Sequence, residues 1–383
     1  MKILKAVSAV TLAAILGITG CGTATSSGNN SSSASSSQKP SSVTIGAVLP
    51  LTGQGAMYGT MGRDGMTLAQ DEINSAGGVD GIKINIQFED HQSEATLGVT
   101  ALRQLSSIYH VPYSLVSYSN VIPAQLPIAN QNHITLMNGF AQDDTLAGAS
   151  PYLFNDIPLA GLEVPSLLNY LVKVKGFTKV GIVYDNAGLG LDLYNQIKSQ
   201  ISSVGGTIVD AESGALGSTS WQPQLTKVKS ANPQVIIIGT YGQDTVDLLT
   251  QAKQIGVSTP FAATSVAMIP AVYGLPESQG LIHTSLQMSP SGEFIDNYQK
   301  KFNTQPTVYS ITSYNSVEIF AKALDYVVKH NEKINGDSIK NAITALKKFD
   351  TPVGTISFDA KGTSSVPVTL NQVENGKDTP LQK

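Results

Sequence analysis

The feature that most constrains the fold is an alternation of short apolar runs with amphipathic segments along most of the chain. Runs such as VTIGAVL at 43–49 and VIII at 235–238 have the length and composition of buried strands. The segment 59–76 places apolar residues at helical spacing and is followed by Gly77-Gly78, a typical helix stop. Strands that alternate with helices predict parallel sheets covered by helices. We therefore predict a doubly wound α/β fold.

The alternation occurs twice, which predicts two similar lobes. We predict strands at 43–49, 82–88, 113–116 and 134–137, and again at 180–184, 207–211, 235–238, 260–263 and 281–286. Helices at 292–302, 311–330 and 337–347 then precede strand-like segments at 354–358 and 366–373. Because this helical block follows the second set of strands, we expect the chain to cross back to the first lobe. We assign residues 43–158 plus 289–350 to an N-terminal lobe and residues 159–288 plus 351–383 to a C-terminal lobe.

The N-terminal residues have the organisation of an export signal. Two lysines precede an apolar run, 6–18, which has the length of a signal-peptide core and is shorter than the ~20 residues of a transmembrane helix. The sequence Ile18-Thr19-Gly20-Cys21 resembles a bacterial lipobox, in which the thiol is acylated and cleavage leaves cysteine as the first residue. Cys21 is the only cysteine, so no disulfide can form. We predict a signal peptide at 1–20 and lipidation of Cys21.

The segment after Cys21 predicts a tether. Residues 22–42 are almost entirely Ser, Gly, Asn, Thr and Ala, and such a composition cannot bury enough apolar surface to fold. A flexible chain of about 21 residues spans on the order of 25 Å. We therefore expect an extracytoplasmic protein whose lipid anchors it to the cell membrane.

Charge and motifs argue against several functions. The net charge is −4 without a cluster of Lys or Arg, whereas nucleic-acid binding needs a basic patch. The five histidines lack metal-ligand spacing. The segment 53–58 follows the first strand but ends in Tyr58 where a dinucleotide motif has glycine. We expect no nucleic-acid partner, no metal, no cofactor and no enzymatic activity.

Polar and aromatic residues follow the predicted strands, where ligands of open α/β sheets bind. Ser117 and Ser119 precede a predicted helix, whose free N–H groups can bind a carboxylate, although both could instead serve as N-caps. The next strand end offers the amides of Asn138 and Gln142 and the apolar ring of Phe140. We predict that these residues face a cleft between the lobes.

Beyond the tether, the chain resembles the solute-binding proteins of branched-chain amino acid ABC transporters, which have the type I periplasmic-binding-protein fold. The resemblance begins at TIGAVLPLTGQGAMYGTMGRDGMTLAQDEINSAGGVDGIKINIQFED and continues, in the family's order, with LPIAN, PYLF, KVGIVYDN, LTKVKSANPQVIIIGTYG and LLTQAKQIG. It implies two lobes, joined by three hinge strands, that close around a small solute. It also implies an ABC permease and ATPase complex as partner. We expect a monomer.

The resemblance also implies roles for individual residues. Tyr58 falls where the family places an aromatic ring over the solute, and Tyr241 falls at the aromatic residue of the second lobe. Ser119 falls at the hydroxyl and helix N-terminus that hold a carboxylate, with Ala141 and Gln142 at the next strand end.

The sequence departs from the family's pattern at this site. Gln142 stands where the family has threonine, and Leu189 stands where it has an aromatic residue. The segment 260–276 contains no Asp or Glu to hold an ammonium group; Asp185 could serve instead, whereas we expect Asp244 to cap its helix. The solute therefore stays open between a branched-chain or apolar amino acid and a small aromatic or aliphatic carboxylate or amide. A lipid-anchored sensor with the same clamp is the alternative to a transport component.

The lipobox generates a first prediction. Because Cys21 offers the only thiol for acylation, Cys21→Ser should release the protein from the membrane or stall it as an unprocessed precursor. Fractionation of washed membranes, with the precursor and mature forms separated by mass, measures both outcomes. A variant that is still processed and stays in the membrane fraction would contradict lipid anchoring.

Overall fold

Two β-sheets, each covered by helices, organise the computed structural model, which describes residues 39–186 and 188–381. The predicted signal peptide, Cys21 and nearly all of the tether lie outside these residues. The strands are β1 (Ser42–Leu49), β2 (Lys83–Asp90), β3 (Tyr113–Val116), β4 (Thr135–Asn138), β5 (Leu153–Asn155), β6 (Lys179–Asp185), β7 (Thr207–Gly214), β8 (Val235–Gly239), β9 (Phe261–Ala263), β10 (Ile282–Leu286), β11 (Lys348–Thr351), β12 (Gly354–Ser357), β13 (Val368–Glu374) and β14 (Lys377–Pro380).

The helices lie in the segments between the strands. They are α1 (Ala56–Ser75), α2 (Ala95–Ser107), α3 (Ile122–Asn132), α4 (Val164–Asn169), α5 (Gly188–Gln200), α6 (Gln222–Ser230), α7 (Gln243–Gln254), α8 (Pro270–Tyr273), α9 (Gly292–Phe302), α10 (Val308–Lys329) and α11 (Gly336–Leu346). A π-helical segment, Tyr170–Val174, continues α4.

The first sheet has the order β2-β1-β3-β4-β5 and is parallel throughout. Every residue of β3, β4 and β5 is buried, which matches the continuous apolar character of strands covered on both faces. α1 packs along α10, and α2 packs against α3. The helical block that follows β10 therefore packs on the helices and strands of the first sheet.

The second sheet has the order β14-β13-β10-β9-β8-β6-β7. Its strands β7, β6, β8, β9 and β10 are parallel, and β13 and β14 are antiparallel additions at one edge. β8 is buried at every position and forms the centre of this sheet. The two parallel-sheet lobes confirm the predicted doubly wound α/β architecture.

Three connections join the lobes, at 156–163, 287–291 and 358–367. The first and third are hydrogen-bonded to one another: the amide of Asn155 donates to Gly362 O at 2.7 Å, and the amide of Ser364 donates to Asn155 O at 2.9 Å. Asp156 is fully buried beside them, and its carboxyl oxygens accept both hydrogen bonds from the Asn315 side-chain amide. Burial raises the pKa of Asp156 to about 7. The hinge thus consists of two connections linked by hydrogen bonds and one separate connection.

Some elements differ from the sequence-based expectation. The strands β5, β11 and β14 were not predicted, because each contains at most two apolar residues and so lacks the apolar run of a buried strand. β11 and β12 form a separate two-stranded sheet that spans the boundary predicted at 350/351. The lobe boundaries otherwise stay predictions. Across the described part of the chain, no helix is long and apolar enough to span a membrane.

The contact between α1 and α10 generates a second prediction. A Cβ added to Gly65 would lie 2.2 Å from Ser310 O, a backbone atom that cannot move alone. Gly65→Ala should therefore lower the free energy of unfolding by about 1–3 kcal/mol, measured by urea denaturation. Gly292→Ala is the matched control, because a Cβ there meets no atom within 4 Å. Equal stability of the two variants would contradict close packing of these helices.

Candidate functional site

A pocket lies between the two sheets, at the carboxyl ends of strands from both lobes. Its empty volume, which includes space open to solvent, is about 340 Å³. The first lobe contributes six lining residues and the second contributes three. They are Tyr58, Tyr118, Ser119, Phe140, Ala141 and Tyr309 from the first lobe, and Leu189, Tyr241 and Val266 from the second.

The pocket wall is dominated by aromatic rings set at right angles. Tyr58 meets Tyr309 with centroids 5.0 Å apart and planes at 90°, and it meets Tyr118 at 6.4 Å and 80°. Tyr118 in turn meets Tyr241 of the second lobe at 6.3 Å and 83°. Phe140 stacks on Tyr309 at 5.3 Å and 14°. Such edge-to-face and offset pairs are the favoured aromatic geometries, so the rings support one another around the pocket.

Tyr118 has a backbone conformation that is rare for a residue with a side chain. Its φ is +74°, in the left-handed region that costs a non-glycine residue about 1–3 kcal/mol. The amides of Val121 and Ile122 both donate to Tyr118 O at 3.0 Å, which fixes this turn before α3. The turn places Tyr118 and Ser119 at the pocket. Strain of this kind concentrates at functional sites.

The lobes touch one another around the pocket. A Cβ built on Gly242 would lie 3.2 Å from the Tyr58 ring, and one built on Gly188 would lie 3.5 Å from Ser119 Cβ. With the Tyr118–Tyr241 ring contact, these approaches show a closed cleft.

Ser117 is turned away from the pocket wall. It is fully buried, donates its hydroxyl hydrogen to Val48 O at 3.0 Å, and lies 2.8 Å from His91 Nε2. His91 Nδ1 accepts the amide of Ser93, which leaves Nε2 as the protonated nitrogen. Burial lowers the pKa of His91 to about 4, so its ring is neutral. Ser117 and His91 thus join β1 to the segment after β3.

Asn138 shapes the loop that presents Phe140 and Ala141. Its Oδ1 accepts the amides of Phe140 at 3.1 Å and Ala141 at 2.8 Å, and its Nδ2 donates to Ala141 O at 2.7 Å. Asn138 is fully buried. The backbone groups of Ala141 are thereby occupied within the protein.

Gln142 reaches across to the second lobe. Its Nε2 donates to Glu163 Oε1 at 2.6 Å and to Pro158 O at 3.1 Å. Glu163 is fully buried and also accepts hydrogen bonds from the amide and hydroxyl of Ser265 and from the hydroxyl of Thr284. A buried carboxylate needs such partners. Gln142 and Glu163 therefore form a polar tie between the lobes near the hinge.

Asp185 lies behind Tyr241 and outside the pocket lining. It is fully buried, and neither carboxyl oxygen accepts a hydrogen bond from the described residues. Burial and then the neighbouring Asp244 raise the pKa of Asp185. A protonated Asp185 can donate to Asp244, whose own carboxylate accepts the amide of Gly217 at 2.7 Å. Asp244 was expected to cap its helix, but its carboxylate accepts a hydrogen bond from Gly217 instead.

A hydrogen bond between two acidic residues of opposite lobes crosses the cleft. The amide of Asp144 donates to Asp192 Oδ2 at 3.3 Å, and Gln196 Nε2 donates to Asp144 Oδ2 at 2.5 Å. Burial, followed by the charge of Asp143, raises the pKa of Asp192 to about 6, and the same two causes raise the pKa of Asp144 despite its hydrogen bond from Gly161 N. Among the residues that the structure describes, no cluster of His, Cys, Asp and Glu could hold a metal ion.

The structure brings six of the ten predicted site residues together in the pocket: Tyr58, Ser119, Phe140, Ala141, Leu189 and Tyr241. Ser117, Asn138, Gln142 and Asp185 lie outside its lining, although each contacts or supports a segment that forms it. The sequence analysis missed Tyr118, Val266 and Tyr309. Tyr118 stands between the predicted site residues Ser117 and Ser119, and Val266 follows β9. Both therefore lie at strand ends, a position that could have identified them. Tyr309 lies far along the chain, in α10, and offered no such signal.

Two lobes with a pocket between them, lined by residues of both, have the architecture of a solute-binding protein. The sequence matches the Periplasmic binding protein family over residues 42–378, so the chain belongs to that family.

Curated relatives share about a quarter of their residues with the chain. The Leu/Ile/Val-binding protein homolog 3 of Brucella melitensis is 24% identical over 334 residues, which cover 85% of this chain and 89% of the relative. The leucine-, isoleucine-, valine-, threonine- and alanine-binding protein of Pseudomonas aeruginosa is 23% identical over 337 residues, with coverages of 86% and 89%.

Solved structures of the same fold hold different solutes. The substrate-binding protein LivJ from Streptococcus pneumoniae, in complex with isoleucine, superposes with a TM-score of 0.79 at 24% identity, covering 88% of this chain and 97% of that one. A solute-binding protein from R. palustris in complex with benzoate gives a TM-score of 0.79 at 18% identity, with coverages of 89% and 95%. These likenesses confirm the predicted type I periplasmic-binding-protein fold.

The acidic contact across the cleft generates a third prediction. Because the pKa of Asp192 is raised on folding, its contribution to stability is full below about pH 4 and is lost as pH rises through about 6. Asp192→Asn removes this loss. At pH 8 the variant should therefore melt up to about 2 °C above the wild type, after allowance for solvent screening. At pH 4 the two proteins should melt at the same temperature. Melting curves from pH 4 to 8 measure the difference.

Asp296→Asn provides the control, because Asp296 is an exposed carboxylate on α9. Its pH profile should follow that of the wild type. If Asp192→Asn also follows the wild type at every pH, the carboxylate does not oppose closure.

Proposed function

We propose that the protein captures a small amphipathic solute in its interlobe cleft and delivers it to the membrane permease of an ABC importer. One observation supports this most strongly: residues of both lobes line the same pocket. A solute held there contacts both lobes only when they are closed, so binding favours the closed state. The permease then distinguishes a loaded protein from an empty one by its shape.

Binding rather than catalysis fits the chemistry of the site. Ser117 and His91 are the hydroxyl and imidazole that come within hydrogen-bond distance near the cleft, but the serine hydroxyl donates to Val48 O and both side chains are fully buried. A nucleophile needs its hydroxyl hydrogen directed to the base and its oxygen accessible to substrate. We infer that the pair is structural and that the protein is not an enzyme.

We place the protein outside the cytoplasm, held at the membrane by the lipid on Cys21. Its family consists of periplasmic binding proteins, and the sequence before residue 42 has the pattern of a lipoprotein signal and tether. The residues from Pro40 onward belong to one compact unit, which can bind solute as a monomer while the tether gives it reach to the permease.

A branched-chain or other apolar amino acid is the first candidate solute, because both curated relatives are named for binding such amino acids. Aromatic carboxylates are the second candidate, because five of the nine lining residues have aromatic rings. In both cases the solute carboxylate would lie at Ser119, beside the start of α3.

A fourth prediction follows from binding at the cleft. A solute that binds only the folded protein stabilises it by about 2.7 kcal/mol at a hundredfold excess over Kd. Isoleucine, leucine or benzoate should therefore raise the melting temperature of residues 40–383, and the same solute should reduce the radius of gyration in small-angle scattering.

Tyr58→Ala tests where the solute binds, because it removes a ring of the pocket wall while leaving the surface of the second lobe unchanged. The melting shift should be lost in this variant. A stabilising solute that left both the radius of gyration and the response of Tyr58→Ala unchanged would place binding outside the cleft.

A further inference from the structure

The cleft continues beyond the inner pocket into a second compartment. This outer compartment has an empty volume of about 820 Å³ and shares Tyr58, Tyr118 and Tyr241 with the inner pocket. The three rings therefore stand between two spaces.

The outer compartment is acidic. Asp244 and Asp247 line it, and the buried Asp185 lies beside Asp244. Asp247 Oδ1 accepts the side-chain amide of Gln243 at 2.8 Å, a neutral partner that leaves its charge uncompensated. Within the described residues, neither compartment is lined by Lys, Arg or His. The field in the outer compartment therefore favours a positively charged group.

The three shared tyrosines have the arrangement that cations prefer. Tyr58 and Tyr118 are nearly perpendicular, as are Tyr118 and Tyr241, so successive rings form adjoining walls. The face of an aromatic ring attracts a cation within about 6 Å, and aromatic cages bind quaternary ammonium groups in this way. The attraction strengthens when water is excluded, as it is in a closed cleft.

An unpartnered polar atom points to a solute at the same place. The Tyr58 side chain is 4% exposed, and its hydroxyl oxygen has no hydrogen-bond partner among the described residues. Ser93 Oγ, in the outer compartment, is also buried, and the Tyr118 side chain is its polar neighbour. Buried hydroxyls are normally hydrogen-bonded, so the Tyr58 hydroxyl is placed to contact a polar group of the solute.

We propose that the tyrosines shared by the two compartments form a cage for an alkylated ammonium group of the solute. This inference rests on the proposed function, because it concerns the same cleft. An alkylated ammonium fits better than a primary one, because its N-alkyl groups need few hydrogen-bond acceptors and the cage offers ring faces with few acceptors. The carboxylates of Asp244 and Asp247 supply the compensating charge.

The test compares a cation with its neutral isostere. Choline and 3,3-dimethylbutan-1-ol have the same shape, but only choline is charged. Isothermal titration of the mature protein in detergent should show choline binding at least tenfold more tightly than the alcohol. Isoleucine and benzoate are titrated in parallel, so that solute binding as such is measured independently of the cage.

Two pairs of variants locate the effect. Tyr241→Phe keeps the ring and should retain choline affinity within about threefold, whereas Tyr241→Leu should lose at least tenfold for choline and little for the alcohol. Asp247→Asn should weaken choline binding about threefold, more at low salt than at high salt. The control Asp296→Asn, an exposed acid on α9, should change neither.

Each outcome decides between the proposals. Equal affinity for choline and the alcohol, or no affinity for choline, overturns the cage. If isoleucine or benzoate binds while choline does not, solute capture stands and only the cage is rejected. If none of the four compounds binds, the cage is again rejected and solute capture loses its support as well. Retention of choline affinity in Tyr241→Leu would also overturn the cage, because binding would then lie elsewhere.

Discussion

The site depends on one geometric constraint: the parallel strands of both sheets direct their carboxyl ends toward a common cleft. The pocket is lined by segments that follow the carboxyl ends of β1, β3, β4, β6, β8 and β9. Ligands of open α/β sheets bind at such ends because the loops there are free to vary while the strands hold their positions. α10 is the exception, since it contributes Tyr309 after the chain has crossed back to the first lobe.

The fold was predictable from the sequence because long periodic segments determine it. The strands β1 and β8 and the helices α1 and α9 were recognisable from apolar spacing alone. The strands β5, β11 and β14 were not, since pairing with neighbours rather than local pattern defines them. The π-helical continuation of α4 had no local signal either, because its residues read as an ordinary amphipathic helix.

The site was only partly predictable, since strand-end position identifies a segment but not the direction of its side chains. Asn138 and Gln142 were selected as amides for a solute, yet one closes its own loop and the other reaches Glu163. Tyr118 was passed over although it stands beside Ser119, because its left-handed backbone, which determines where the ring points, cannot be read from residue type. Tyr309 required the tertiary fold, since about 190 residues of chain separate it from its neighbour Tyr118.

Closure of the cleft is a balance between aromatic contacts and acidic ones. The ring contact of Tyr118 with Tyr241, and the hydrogen bond of Gln142 to Glu163, favour the closed form without a solute. Closure also brings the Asp192 carboxyl to the backbone amide of Asp144, where burial and the charges of Asp143 and Asp144 raise its pKa, and it encloses Asp244 beside the first lobe's tyrosines. Carboxylates confined in this way repel one another and lose hydration. A solute shifts such an equilibrium only by its differential affinity for the two forms. The contacts that favour closure and the confined carboxylates that oppose it are both substantial. Binding of a single small molecule therefore determines whether the lobes stay closed.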